Sequence, residues 1–138
     1  MIILDTNVLS ALMHIAPDGK VVAWLDRQPR TSVWTTSITI FEVRFGLQVM
    51  AIGRKRSALL EAFESLIGKI DHRIADFDQA AALQAGDLMA SRQKKGRPGD
   101  LRDTMIAGIV LARNAALATR NHTHFSDLSA TVVNPWQA

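Results

Sequence analysis

The chain has 138 residues, of which 48% are hydrophobic and 21% charged, and it contains no cysteine. A chain of this size and composition can bury its own core, so we expect a single domain covering residues 1–138. The lack of cysteine excludes disulfides, thiolate catalysis, cysteine-ligated zinc and iron–sulfur clusters. The formal net charge is only +3. The isoelectric point of about 9.8 is high because no cysteine or tyrosine titrates between histidine and lysine, so basicity alone does not indicate nucleic-acid binding.

The N-terminal segment and the hydropathy pattern argue against export and membrane insertion. Asp5 interrupts the opening apolar run, and no basic segment precedes that run, unlike the pattern of a secretory signal peptide. No stretch approaches the roughly 18 uncharged apolar residues that a membrane-spanning helix needs. We therefore expect a soluble, cytoplasmic protein with no membrane partner.

Short apolar segments alternate with amphipathic helical patterns along the chain. The first segment, residues 2–4, is wholly apolar, and Thr6 or Asn7 is positioned to cap the helix that follows. The predicted strands span residues 2–4, 32–36, 73–77, 115–119 and 131–133. The predicted helices span residues 6–13, 21–29, 37–50, 54–67 and 78–95, and a last helix begins at Asp100. This alternation predicts an α/β fold with a central, mainly parallel sheet flanked by helices.

Polar residues directly after the predicted strands are candidates for a site, because open α/β sheets bind ligands at the carboxyl ends of their strands. Asp5 follows the first strand, and Asn121 lies just beyond the fourth. Each has a structural alternative. Asp5 can cap the next helix, and Asn121 can be an ordinary turn residue.

Glu42 interrupts an apolar stripe on the third predicted helix. By helical spacing the stripe consists of Ile38, Glu42, Phe45 and Val49. A carboxylate on a buried face requires a cation or a proton. Glu42 is therefore either a site residue or one half of a salt bridge, for which Arg44 is available.

Asp103 lies in the first turn of the last predicted helix. An acid there interacts favourably with the helix dipole, and together with Asp100 it resembles a capping box. With Asp5, Glu42 and Asn121 it would supply three carboxylates and one amide. These are hard oxygen donors in a number that Mg²⁺ or Mn²⁺ accepts beside water and phosphate.

Five segments of the chain, in this order, resemble the PIN-domain family. They are IILDTNVLS at 2–10, TSITIFEVRFG at 36–46, DTMIAG at 103–108, LATRNHTHF at 117–125 and VNPW at 133–136. The resemblance spans essentially the whole chain. Within the family it is closest to the VapC and FitB toxins of bacterial toxin–antitoxin pairs, and it implies a three-layer PIN-like fold.

Members of this family are metal-dependent ribonucleases, so the resemblance implies a toxin that hydrolyses RNA and inhibits growth. It implies that Asp5, Glu42 and Asp103 are catalytic acids that ligate Mg²⁺ or Mn²⁺. Asn121 occupies a fourth position that is often aspartate, from which it can hold a metal-bound water. His124 stands where related toxins often place an acid. These two departures leave the number of metal ions open.

Other polar residues of the resembling segments have supporting roles. Thr6, Asn7 and Thr119 match positions that orient the metal ligands. A cluster of cations before Asp103 is expected to contact RNA phosphates, and binding should then weaken steeply with salt. The cluster comprises Arg92, Lys94, Lys95, Arg97 and Arg102.

The resemblance also implies protein partners. Such toxins form homodimers and are silenced by a small antitoxin, here VapB-like, that packs on helices near the active site. Two apolar helix faces are candidates for either interface or for the core. They comprise Leu9, Leu12 and Met13 on one helix and Leu59, Leu60 and Phe63 on another.

Two other functions fit parts of the sequence. The segment from Leu4 to Leu9 is similar to the nucleophile motif of haloacid-dehalogenase-like phosphatases, in which Asp5 would attack phosphorus. That motif, however, has a second acid where Asn7 stands. The remaining alternative is a non-catalytic PIN-like subunit that acts with an antitoxin on DNA.

Overall fold

A computed structural model describes all residues from 1 to 138. In chain order the elements are β1 (Ile2–Leu4), α1 (Thr6–Leu12), α2 (Gly19–Asp26), β2 (Val33–Thr36), α3 (Ser37–Val49), α4 (Arg54–Ile70), β3 (Ile74–Ala75), α5 (Gln79–Lys94), α6 (Leu101–Ala112), β4 (Ala116–Ala118) and β5 (Val132–Val133). Short 3₁₀ turns occur at Arg30–Ser32 and His122–Phe125. None of the helices is long and apolar enough to cross a membrane.

The five strands form one sheet in the order β3-β2-β1-β4-β5. Every neighbouring pair is parallel, so the predicted α/β fold with a parallel central sheet is confirmed. Because all strands run in the same direction, their carboxyl ends meet at one edge. The residues that follow β1, β2 and β4 therefore emerge close to one another.

Alternate strand residues pack into two separate hydrophobic cores, one on each face of the sheet. Leu4 and Ala118 pack into an apolar cluster with α1, α2, α3 and α4. Ile3 and Leu117, their neighbours along the strands, pack on the opposite face with α5 and α6. This is the burial pattern expected of a parallel sheet covered on both faces, and it gives the fold its three layers.

Several boundaries differ from the predicted ones. The N-cap of α1 is Asp5, whose side chain accepts from the Thr6 backbone N–H, and the predicted cap at Thr6 or Asn7 is wrong. Helix α4 continues to Ile70, three residues beyond its predicted end. Strand β3 has only two residues, so most of the predicted 73–77 segment is irregular.

Helix α3 buries a different side from the predicted one. Its buried residues are Thr39, Val43 and Leu47. On the predicted stripe, Phe45 is 55% exposed and Val49 is 67% exposed. The prediction that this stripe faces the core is therefore wrong, and Glu42 lies at the border of an exposed apolar surface.

The two other apolar helix faces belong mainly to the core. Leu9 and Met13 of the first helical segment are buried, and Phe63 is buried on α4. Leu12, Leu59 and Leu60 are partly buried and pack against the same apolar cluster. Of the two expectations for these faces, core packing is the one the structure supports.

Candidate active site

A polar groove of about 650 Å³ opens at the carboxyl edge of the sheet. Three of the acids singled out in the sequence lie in its wall, although they come from three separate elements. The groove is lined by Asp5, Thr6, Asn7, Ser10, Ala11, His14, Asp18, Glu42, Asp103, Arg120, Asn121 and Trp136.

Asp5 is a buried carboxylate held by several donors. Its Oδ1 accepts from the Thr6 backbone N–H at 2.8 Å. Its Oδ2 accepts from the Thr119 hydroxyl at 2.7 Å and from Asn7 Nδ2 at 3.2 Å. Burial raises the pKa of Asp5, and the hydrogen bond from Thr119 opposes that rise. The side chain is thus fixed in orientation but costly to ionise unless a cation approaches.

Asn7 and Thr119 link the ends of β1 and β4 around Asp5. Besides Asp5, the Asn7 amide contacts Thr119 Oγ1 at 3.3 Å, and Asn7 Oδ1 accepts from the Arg120 backbone N–H at 3.1 Å. Thr119 Oγ1 also accepts from the Asn121 backbone N–H at 3.0 Å. The geometry therefore lets these side chains orient the carboxylate and position the Asn121 loop.

Glu42 approaches the groove from α3. Its Oε1 accepts from the Thr6 hydroxyl at 2.9 Å, and its Oε2 lies 3.8 Å from Arg102 Nε. The salt-bridge partner is therefore Arg102, and the alternative of a bridge to Arg44 is wrong. Partial burial raises the pKa of Glu42, while the bond from Thr6 and the charge of Arg102 oppose the rise.

Asp103 approaches from the first turn of α6. The Asp100 side chain caps this helix by accepting from the backbone N–H groups of Arg102 and Asp103. Asp103 Oδ2 lies 3.4 Å from Nδ1 of His124. Burial, followed by the charge of Asp100, raises the pKa of Asp103, and His124 opposes this effect.

The chemistry of these donors fits a hard divalent cation. No three acidic or histidine side chains approach closely enough to enclose an ion by themselves. Glu42 contacts Arg102, and Asp103 contacts His124. The carboxylates nevertheless raise one another's pKa. A cation in the groove would relieve that repulsion, and Mg²⁺ or Mn²⁺ would retain water as well as carboxylate ligands. Asn121 also lines the groove, while His124 lies beside it.

None of the cations expected to bind RNA lines the groove. Lys94 and Lys95 are exposed at the end of α5. Arg97 lines a smaller polar pocket next to the groove, and this pocket shares Asp103 with it. Arg102 is engaged with Glu42.

Arg92 is a structural residue, so its expected contact with phosphate is wrong. The side chain is buried. It forms a two-pronged salt bridge to Asp127, with both N···O distances at 2.9 Å. It also donates to the Thr104 hydroxyl and to the His124 carbonyl. Its guanidinium thereby ties α5 to α6 and to the turn that carries His124.

Among the groove residues that were not predicted from the sequence, Arg120 and Trp136 contact each other. The Arg120 guanidinium carbon lies 4.9 Å from the centroid of the Trp136 ring, within range of a cation–π interaction. Arg120 stands between Thr119 and Asn121, just beyond β4. This position at the carboxyl end of a strand is the sequence signal that could have identified it as a groove residue.

Comparison with known proteins identifies the family. The model of the PIN domain family matches residues 2–130. The chain is 34% identical over 138 residues to the VapC ribonuclease Y4jK of Sinorhizobium fredii, covering 99% of each chain. It is 32% identical over 137 residues to Toxin FitB of Neisseria gonorrhoeae, again covering 99% of each.

Solved structures give the same result. The crystal structure of FitAcB from Neisseria gonorrhoeae contains a chain with a TM-score of 0.90 and 32% identity, with complete coverage of both chains. FitAB bound to an IR36 DNA fragment has a TM-score of 0.89 at 32% identity, covering 99% of this chain and 96% of that one. The chain therefore belongs to the PIN-domain family, in the group that contains the VapC and FitB toxins.

Proposed function

We propose that this protein is a metal-dependent endoribonuclease, the toxin of a toxin–antitoxin pair, acting in the cytoplasm. The observation that carries the proposal is the convergence of Asp5, Glu42 and Asp103 on one groove at the carboxyl edge of the sheet. The VapC and FitB relatives support it, because one is named a ribonuclease and the other a toxin.

In this proposal the three acids hold Mg²⁺ or Mn²⁺, with Asn121 contributing through a water. The bound ion would supply a water of lowered pKa and neutralise charge on the phosphodiester. Asp5 receives three hydrogen bonds, from Thr6, Asn7 and Thr119, so its orientation is set before substrate arrives. Such preorganisation lowers the cost of assembling the reactive geometry.

Glu42 and Asp103 each contact a basic side chain beside the groove. Arg102 lies 3.8 Å from Glu42 Oε2 and His124 lies 3.4 Å from Asp103 Oδ2, so a metal ion held by these carboxylates would compete with both contacts. We propose Arg102, Lys94, Lys95 and Arg97 as the contacts to RNA phosphates. Cleavage should weaken steeply with salt, because phosphate contacts release counterions.

The decisive experiment replaces Asp5 with asparagine and measures cleavage of single-stranded RNA in Mg²⁺ and in Mn²⁺. We expect the wild type to cleave RNA and to inhibit growth, and Asp5→Asn to do neither while remaining folded. Asp87→Asn, on the exposed side of α5, is the matched control and should retain full activity. Full cleavage by Asp5→Asn would overturn the proposal.

We also propose two protein partners, a small VapB-like antitoxin and a second copy of this chain. For the second copy, the support is an exposed apolar face on α3 and α6 that contains Phe41, Phe45, Val49 and Leu101. The adjoining pocket also carries Asp100 and Arg102. Opposite charges beside one apolar patch suit a two-fold contact, in which each patch meets its own copy. For the antitoxin, co-expression of the small protein encoded beside this gene should restore growth.

A DNA-binding role of the toxin–antitoxin complex is the second candidate function. It is favoured by the solved relative FitAB, which is bound to a DNA fragment. If DNA binding were the sole function, the purified complex would retard its own promoter DNA and the free protein would not cleave RNA. The phosphatase hypothesis has no comparable support, since Asn7 stands where its second acid is needed and donates to Asp5.

A further inference from the structure

The rim of the groove carries one cation whose position is fixed by an aromatic ring. Arg120 lies over the indole of Trp136 at 4.9 Å, and Trp136 in turn packs against the apolar cluster on that face of the sheet. The pairing follows from the strand register, which places Ala118 beside Val133. Arg120 and Trp136 therefore both emerge just beyond the same edge.

Arg120 is not neutralised by the acids around it. The groove contains four carboxylates, Asp5, Asp18, Glu42 and Asp103, yet Arg120 forms a salt bridge with none of them. Arg102, by contrast, is paired with Glu42. The Arg120 guanidinium contacts the Trp136 ring and donates no hydrogen bond within the protein, and the N–H groups of a guanidinium match the geometry of phosphate oxygens.

The backbone of Arg120 is tied to the proposed catalytic carboxylate. Its N–H donates to Asn7 Oδ1 at 3.1 Å, and the Asn7 amide donates to Asp5 Oδ2 at 3.2 Å. The side chain thus projects from a point that is fixed relative to Asp5. An anion bound by Arg120 would consequently be held in a defined position beside the acidic part of the groove.

The groove has room for such an anion. Its volume is about 650 Å³. A metal ion with its waters fills only part of that space. Arg120 is the one lysine or arginine that lines the groove, which makes it the nearest positive charge for a neighbouring phosphate of the strand.

We propose that Arg120 binds a backbone phosphate of the RNA strand next to the bond that is cleaved, and that Trp136 is the positioning residue for this guanidinium. This inference rests on the proposed ribonuclease function and adds a substrate contact to that site. The contact reads the backbone and not the base, so it contributes to affinity for single-stranded RNA of any sequence.

The test compares Arg120→Ala, Arg120→Lys and Trp136→Leu with a matched control, Arg113→Ala. Arg113 also lies over a tryptophan, at 5.7 Å from the ring of Trp34. It follows the last residue of α6, about 18 Å of helix from the end that carries Asp103. The control therefore removes the same charge and the same type of contact far from the groove.

Binding of a labelled single-stranded RNA is measured by fluorescence anisotropy over a range of salt, with every variant also carrying Asp5→Asn to prevent cleavage. We expect Arg120→Ala to weaken binding roughly tenfold or more and to lower the salt slope by about 0.7, the contribution of one phosphate contact on a single strand. Arg120→Lys should keep the slope but lose affinity, because lysine lacks the planar fork. Trp136→Leu should weaken binding severalfold with the slope unchanged.

Cleavage by variants that retain Asp5 gives the second readout. Arg120→Ala should raise KM by the factor by which it weakens binding, with kcat nearly unchanged, and Arg113→Ala should match the wild type. Equal affinity and slope for Arg120→Ala and Arg113→Ala would overturn the inference, as would an effect confined to antitoxin binding. Failure of the proposed function looks different, because the wild type would then bind RNA without cleaving it.

Discussion

At Asp5, the hydroxyl group of Thr119 determines where one carboxylate oxygen points. The bond is 2.7 Å long and entirely buried. We expect Thr119→Val, which removes the hydroxyl with little change in shape, to reduce RNA cleavage and metal affinity by roughly 10–100-fold, the usual effect of losing a group that orients a metal ligand. Loss of the bond should also raise the pKa of Asp5 further, since the bond now lowers it.

Initial cleavage rates and a calorimetric Mn²⁺ titration measure this effect. Thr131→Val is the control, because Thr131 is exposed and does not line the groove. A Thr119→Val variant with wild-type rate and Mn²⁺ affinity would show that Thr119 does not orient Asp5 for metal binding.

Asp5 also makes the metal-free protein sensitive to pH. Its pKa is raised in the fold above the ordinary value of 3.8, so the folded protein binds a proton more readily than the unfolded chain. The stabilisation is present below that value and is lost as the pH rises through the raised pKa. At neutral pH the ionised carboxylate therefore destabilises the metal-free fold.

Asp5→Asn should consequently be more stable than the wild type at neutral pH without divalent metal, and the difference should shrink as the pH falls toward 4. Urea unfolding in the presence of a chelator, repeated at several pH values, measures this. Asp87→Asn, on the exposed side of α5, is the control for replacing an aspartate outside the groove. A lower free energy of unfolding for Asp5→Asn at pH 7 would contradict the assignment of burial as the dominant cause.

At the scale of the elements, helical periodicity locates α3 but does not decide which side is buried. Apolar residues occur nearly all round this helix, so both the Ile38–Phe45–Val49 side and the Val43–Leu47 side fit a helical stripe. The choice is made by packing. Val43 and Leu47 meet the apolar cluster formed with α1, α2 and α4, and only the tertiary arrangement reveals that contact.

Helices α5 and α6 approach so closely that one position tolerates only glycine. A Cβ atom at Gly108 would lie 2.5 Å from the Ala81 carbonyl oxygen and 2.7 Å from the Ala85 Cβ. Gly108→Ala should therefore lower the free energy of unfolding by about 1–3 kcal/mol, the usual cost of overpacking a core.

Gly86→Ala on α5 is the control for this prediction, because nothing lies within 4 Å of its added Cβ. Alanine favours a helix over glycine, so this variant should gain about 0.5–1 kcal/mol. Urea unfolding of both variants and of the wild type measures these changes in the free energy of unfolding. Equal stability of Gly108→Ala and the wild type would mean that the two helices separate easily at this crossing.

At the scale of the whole molecule, the parallel sheet explains why the acids of the groove could be anticipated. Asp5 follows β1, Glu42 lies on the helix directly after β2, and Asp103 lies at the start of the helix that leads into β4. In a parallel sheet flanked by helices, these positions all lie at the carboxyl edge. The pairing of Arg120 with Trp136 depends instead on the register between β4 and β5, which no local pattern specifies.

The distribution of charge matters more than its sum. Four carboxylates line the groove together with a single arginine, while Lys94, Lys95 and Arg97 lie outside it. The net charge of +3 averages these opposing populations. The carboxylates of the groove attract a divalent cation, and the surrounding lysines and arginines attract the negatively charged RNA strand. One surface can therefore bind the ion and the strand together.

A substitution in the exposed apolar face on α3 and α6 tests the proposed dimer. Phe45 lies near the centre of this face, among Phe41, Val49 and Leu101. Burying a carboxylate there without a partner is costly, so Phe45→Glu should convert a dimer into a monomer while leaving the fold intact, since Phe45 touches solvent and not the core. Light scattering should give twice the 15.2 kDa chain mass for the wild type and the single mass for the variant. Ile15→Glu, at a side chain that is 99% exposed and lies outside this face, should remain dimeric. A monomeric wild type or a dimeric Phe45→Glu would mean that this face binds something other than a second copy.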